Sequence, residues 1–192
     1  MYDYITIERR YGSGGHEIAT ELSKRLKYRI CDRNVVVETC KRMGLPYETV
    51  SVMDEQNPIK PIFRPKGNEH LSLEDQIYNT EVEVIREAAE KPGCVFVGRC
   101  AAEILKDKKC LKVFITAKDE FRMERALNVE KLEKDKARDV MQKFDRNREK
   151  FFTTHSGATW GSTEYFDLVL NSGELGISAC VEILEQLAKN II

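Results

Sequence analysis

The stretch YITIERRYGSGGHEIATELSKRL, Tyr4 to Leu26, decides how the rest of the chain is read. Tyr4-Ile5-Thr6-Ile7 is a short β-branched and aromatic run that ends at a glycine cluster, Gly12-Ser13-Gly14-Gly15. An amphipathic segment follows from His16 to Lys27, with Ile18, Ala19, Leu22 and Leu26 at helical spacing. Strand, glycine turn and helix in that order suit an anion. The glycines let backbone N–H groups turn inward, and the helix opens with unpaired N–H groups at the positive end of its dipole. Taken alone, GSGG fits equally well a turn that binds nothing.

Working outward, the same alternation recurs. Tyr28-Arg29-Ile30-Cys31 reads as a strand ending at Asp32, and Cys94-Val95-Phe96-Val97 as one ending at Gly98-Arg99. Val113-Phe114-Ile115 and Leu168-Val169-Leu170 complete the set, with helical patterns over Ala101 to Leu105, Glu120 to Val129 and Ile177 to Ala188. Continuous apolar runs suit strands covered on both faces. The expected fold is therefore α/β, a three-layer α/β/α sandwich around a parallel sheet of about five strands. Two stretches break the pattern. Between Asn34 and Lys91, helical segments such as Gln76 to Ala89 flank the proline-bearing NPIKPIFRPKG (residues 57–67), which reads as a loop. From Glu130 to Glu164 the chain is densely charged and then polar. Both read as insertions at strand ends, where open α/β sheets bind ligands. One domain over 1–192 is expected, with its core in 1–33, 92–129 and 165–192 and insertions at 34–91 and 130–164.

Composition narrows the function. With 192 residues, 42% hydrophobic and 33% charged, the chain can bury one sizeable core. Lys+Arg of 31 against Asp+Glu of 32 leaves a net charge of -1, which argues against a polycation for nucleic acid or anionic membrane. No apolar run approaches the roughly 18 residues that a membrane span needs. MYDYITIERR carries charges where a signal peptide would be apolar, so a cytoplasmic location is expected. Six cysteines without a CxxC pair read as free, buried thiols in a reducing compartment. His16, His70 and His155 are too scattered to suggest a metal site by themselves.

Laid without gaps over the phosphate-binding pattern G-x-x-x-x-G-K-[ST], Arg9 takes the first glycine and Gly14 the second. Gly15 then replaces the lysine that reaches the β/γ-phosphates, and His16 the hydroxyl that holds Mg²⁺. Arg9 and Arg10 are the candidates to restore the lost charge, and Glu17 to hold a metal through water. Arg99, at a strand end, has the planar fork that clamps phosphate bidentately. Asp32 fits three roles, orienting an acceptor, holding a metal-bound water or capping the next helix, and Arg33 is placed for a phosphate contact. Trp160, Tyr165 and Phe166 read as packing rather than base stacking, Asn171-Ser172-Gly173 as a candidate lining for the donor base, and His155 as structural or surface.

Six segments in order carry a resemblance: ITIERRYGSGGHEIATELSKRL, CDRN, VFVGRCAAEIL, VFITAKDEFRMER, DRNREKFF and WGSTEYFDLVLNSGELGI. Together they resemble the cytidylate kinase-like family of P-loop proteins, in which the lysine-less R-x-Y-G-S-G-G loop looks like a feature of the branch. The resemblance implies a P-loop kinase sheet, an acceptor-binding helical insertion at 34–91 and a lid at 130–164. It implies a phosphotransferase using ATP and Mg²⁺, with CMP, dCMP or a related small molecule as acceptor. Gly12, Ser13, Gly14, Gly15, His16, Glu17 and Arg125 would hold the donor. Asp32, Arg33 and Arg99 would face the acceptor, and Arg146 and Arg148 would close from the lid, stabilising charge and excluding water. The alternative is a nucleotide-binding regulatory module without turnover. The missing lysine favours it, and the lid arginines disfavour it. Nucleic-acid binding fares worst, because the lid's basic residues alternate with acids and no aromatic residues are spaced along them for stacking.

Overall fold

The computed structural model describes residues 1–47, 49–50 and 71–190. Its architecture follows from the alternation along β1 (Tyr4–Arg9). Successive strand side chains point to opposite faces. Ile5 and Ile7 accordingly join one core cluster, and Tyr4 joins another on the far side. Thr6 and Glu8 of that far face are buried as well, so β1 is covered on both sides. β1 is the central strand of a five-stranded sheet, flanked by β3 (Cys94–Val97) and β4 (Cys110–Thr116), with β2 (Arg29–Cys31) and β5 (Leu168–Asn171) at the edges. Every pairing is parallel, from Tyr4↔Cys94 and Tyr4↔Cys110 at the start of β1 to Arg9↔Ile115 at its end.

The helices form the outer layers. On one face, Ile18, Ala19 and Leu22 of α1 (Gly15–Leu26) meet Cys180, Val181 and Leu184 of the C-terminal helix Ile177–Lys189 over Ile5, Ile7, Val95, Val113 and Ile115. The opposite face carries α2 (Arg33–Met43), α3 (Leu73–Ala88) and the short α4 (Ala101–Ile104), with Val84, Ile85 and Ile104 over Tyr4 and Phe96. After β4 come α5 (Asp119–Asn128) and α6 (Ala137–Ser156), then a one-turn α7 (Ser172–Leu175) and α8 (Ile177–Lys189).

The charged stretch after Glu130 is thus largely one helix of 20 residues. It docks through Phe152, which stacks on Phe166 at 5.4 Å, while Trp160 meets Phe114 of β4 edge-on at 4.9 Å. These rings pack; they do not face the cleft described below. His155 is likewise structural, stacked on Tyr78 at 3.6 Å. All six cysteines are free and buried. The prolines of residues 57–67 and His70 lie outside the described residues. No described helix is long and apolar enough to cross a membrane.

Candidate active site

Because all five strands run the same way, their carboxyl ends share one rim, and the strand order reverses about β1 there. A cleft of about 550 Å³ opens at that rim. It is lined by Arg9, Arg10, Gly12, Gly14, Gly15, His16, Glu17, Asp32, Arg33, Arg99, Arg125 and Arg148, together with Tyr11, Val36, Tyr47, Val129, Glu130 and Phe144. Residues spread over 140 positions of sequence are gathered because most lie at a strand end or on the segment that follows one, while Phe144 and Arg148 reach the cleft from α6.

The glycine loop is braced from below. Ser13 is fully buried, and its hydroxyl donates to the Arg10 carbonyl at 2.8 Å. The Ser172 hydroxyl donates in turn to the Ser13 carbonyl at 2.6 Å, with the Thr116 carbonyl at 3.1 Å as the second acceptor sharing its one proton. Ser13 therefore shapes the loop without lining the cleft. Asn171, Ser172 and Gly173 do not line it either: Asn171 caps α7 by accepting from the Gly173 and Glu174 N–H groups. Gly12 has φ +72, and a Cβ there would stand 2.6 Å from the Arg122 carbonyl oxygen, so only glycine fits without moving backbone.

Arg9 lies between two other glycines. A Cβ on Gly15 would fall 2.5 Å from the Arg9 Cβ, and one on Gly98 would fall 2.2 Å from its Nη1. The side chain thus crosses from β1 to the end of β3, with its charge at the rim. Gly98, Arg99 and Cys100 all adopt left-handed backbone, at φ 71, 60 and 52. For the two non-glycine residues that conformation costs about 1–3 kcal/mol each, a strain that persists only where the surroundings enforce it. What enforces it is in part Glu81, fully buried on α3, whose carboxylate accepts from Arg99 Nη1 at 2.7 Å.

At the other side of the rim, Asp32 ends β2 and makes no side-chain cap bond to α2. His16 Nδ1 lies 2.9 Å from Asp32 Oδ2. Burial by itself would push the Asp32 carboxyl up, but the His16 hydrogen bond and the charges of Arg9, His16 and Arg33 outweigh it and hold the group below the usual carboxylate range. Asp32, His16 and Arg33 also line a second hollow of about 490 Å³ beside β2, with Thr20, Ile30 and Asn34. Opposite them, Arg125 donates to Glu17 Oε2 at 2.6 Å.

The two arginines of α6 part company. Met141, Asp145, Arg148 and Phe152 follow one another at intervals of four, three and four, which places them on one helical face. Arg148 accordingly lines the cleft, its Nη1 3.4 Å from the Arg9 carbonyl oxygen. Arg146 lies about 200° around the helix from Arg148 and is exposed outside the cleft lining.

Sequence reasoning passed over Glu81, Arg122 and Asp145 as site residues. Glu81 carried a signal: it sits on the same stripe as Ile77 and Ile85 of α3, and an acid on an apolar stripe needs a buried cation. Asp145 was hidden among the other charges of residues 143–150. Among the described residues no three or more His, Cys, Asp or Glu side chains gather to cage a metal ion. The carboxylates of the cleft are those of Glu17, which accepts from Arg125, of Asp32 and of Glu130.

The profile of the cytidylate kinase-like family matches residues 4–174. No curated protein matches the sequence. A protein of Eubacterium ventriosum ATCC 27560 described as uncharacterized shares the fold with TM-score 0.73 and 22% identity, over 97% of this chain and 98% of that one. A shikimate kinase from Bacteroides thetaiotaomicron gives TM-score 0.61 at 14% identity, over 98% and 99% of the two chains. Another, from Acinetobacter baumannii in complex with shikimate, gives 0.57 at 13%, over 100% and 95%. These likenesses establish a P-loop kinase fold, and with the sequence match over residues 4–174 they lead to one conclusion: the chain belongs to the cytidylate kinase-like family.

Proposed function

We propose that the protein is a cytosolic phosphotransferase that moves the γ-phosphoryl group of ATP to CMP, dCMP or a related small acceptor. The observation that carries this reading is the convergence of Arg9, Arg99, Arg125 and Arg148 on one cleft around the glycine loop and the first turn of α1. Phosphoryl transfer asks little covalent work of a protein; it needs positioned positive charge and excluded water. Arg9 supplies the charge that the lysine-less loop omits, because Gly15 and Gly98 leave its side chain room to reach the rim. Arg10 lines the same wall. The loop N–H groups, the backbone of His16 and Arg125 take the donor, and Arg99 and Arg33 take the acceptor. Residues 34–91 serve as the acceptor-binding insertion and 130–164 as the lid, with Arg148 as its inward-facing arginine. Mg²⁺, when bound, would neutralise charge on the donor phosphates, and Glu17 would be the residue to hold it through water.

A second acceptor class, a hydroxylated acid of the shikimate kind, is favoured by one observation. A phosphate oxygen is already anionic and needs no base, whereas a hydroxyl must lose a proton. The Asp32 carboxylate, hydrogen-bonded to His16 at 2.9 Å, is equipped to accept it. An assay for ADP release from Mg²⁺-ATP across nucleoside monophosphates and small hydroxy acids tests both classes. Acceptor-dependent ADP with a phosphorylated product supports transfer and names the acceptor. ATP binding without product from any acceptor would favour the regulatory module instead.

A further inference from the structure

Tyr11, between the arginine pair and the first loop glycine, is held through both of its peptide groups. Its N–H donates to Asp145 Oδ1 at 2.7 Å, and its carbonyl accepts from Arg122 Nη1 at 3.1 Å. Arg122 Nη1 also donates to Asp145 Oδ2 at 2.5 Å, closing a ring of three residues from the loop, α5 and α6. Arg122 Nη2 reaches Asp119 Oδ1 at 2.6 Å. Arg122 is 4% exposed and the Asp145 side chain 15%, so the ring is largely shielded from water. The Tyr11 ring then packs on Phe144 at 4.7 Å.

A buried ion pair adds little net stability, because desolvation offsets the attraction; its better-attested use is to fix one register between elements. Here the register fixed is that of α6 against the glycine loop. Arg148 follows Asp145 by three residues on the same face of α6, and its guanidinium lies 5.9 Å from the Tyr11 ring centroid and 5.6 Å from that of Phe144. We propose that Asp145 and Arg122 are positioning residues: they tie α6 to the Tyr11 peptide, so that Arg148 and the loop N–H groups keep one geometry for the donor phosphates. The proposal rests on the phosphotransferase reading. It also explains why a carboxylate is tolerated beside an anion site. Arg122 neutralises it, and the Tyr11 N–H is committed to holding the helix.

The test compares wild type with Asp145→Ala, Asp145→Asn, Arg148→Ala and the Asp145→Ala/Arg148→Ala pair, well below each melting temperature. Mg²⁺-ATP binding, ADP formation and amide exchange over residues 10–14 are measured together. If Asp145 acts through Arg148, the two single alanine variants each lose about tenfold in kcat/KM for ATP, and the pair loses little more than either one. Asp145→Asn, which keeps an acceptor for the Tyr11 N–H, recovers part of the loss. Exchange at residues 10–14 rises in Asp145→Ala and not in Arg148→Ala. Additive losses, or unchanged kcat/KM with only a lower melting temperature, would mean a merely structural pair and overturn the proposal, as would unchanged exchange. If wild type neither binds Mg²⁺-ATP nor forms ADP, the phosphotransferase reading falls, and the exchange comparison alone still decides whether Asp145 holds the loop.

Discussion

The two ends of the cleft, the proposed donor end at the glycine loop and the proposed acceptor end at Arg99 and Asp32, are built by opposite means. At the donor end, backbone groups do most of the shaping. Gly12 presses on the Arg122 carbonyl, Ser172 holds the Ser13 carbonyl, and Tyr11 is gripped through its peptide. At the acceptor end, side-chain charges and a bent backbone do the shaping: Arg99 is paired with buried Glu81, and Asp32 with His16. A backbone cradle tolerates exchange of the loop's own side chains but not of its glycines or of the side chains that grip it. A charge cluster tolerates neither loss nor reversal of a partner.

That contrast can be broken or sharpened by four measurements. The largest effect is expected at the acceptor end. Glu81→Ala strands Arg99 without its partner, and losing one member of a buried pair costs about 3–5 kcal/mol of stability. Urea unfolding checks this, and a loss no larger than that of an exposed Glu→Ala control would show that Glu81 does not brace the acceptor end. Next comes Arg9→Ala. Loss of a preorganised charge at the transferred group lowers the rate by about 10²–10³-fold, and Arg10→Ala should lose clearly less, because Arg10 lacks the room that Gly15 and Gly98 leave for Arg9. Equal losses in single-turnover rates would remove Arg9 from the lysine's role.

At the donor end, Gly12→Ala forces a left-handed alanine against backbone. Strain of about 1–3 kcal/mol is expected there, enough to weaken ATP binding roughly tenfold or more. Calorimetric titration with Mg²⁺-ATP reads it, and unchanged affinity would mean that the loop is not the cradle. The smallest effect is electrostatic. Asp32 is held below the usual carboxylate range, so its contribution to stability is present above the unfolded value of about 3.9 and is lost as pH falls through the lower folded value. Asp32→Asn should therefore cost more stability at pH 7 than at pH 3. An equal cost at both would show that the ionised form gains nothing from His16 and the arginines.

The same contrast explains what could be read from the chain. The parallel sheet of about five strands and the α/β layering were legible because Ile5, Ile7, Val95, Val97, Val113 and Ile115 make apolar runs that helices must cover; the strand order was not. The glycine loop was legible because its parts are adjacent in sequence. The acceptor end was harder, since Glu81 and Arg99 stand 18 residues apart and meet only when α3 packs on the sheet. Charge density masked α6 in a similar way. Its inward face holds only a few apolar residues, Met141 and Phe152 among them, and the periodicity that separates Arg148 from Arg146 shows once the helix has a partner. Ser13 looked like a ligand contact, but its hydroxyl is spent on Arg10, a demand of the turn that no spacing reveals.

The most direct test of a phosphotransferase cleft follows the phosphoryl group itself. ATP labelled at the γ-phosphate is incubated with wild type and with Arg9→Ala, each offered monophosphates and hydroxy acids in the presence of Mg²⁺. Label is expected to appear in one acceptor with wild type, and to fall by about 10²-fold or more in Arg9→Ala while ATP binding persists. Tight ATP binding by wild type with label in no acceptor would contradict transfer and leave a nucleotide-binding module in its place.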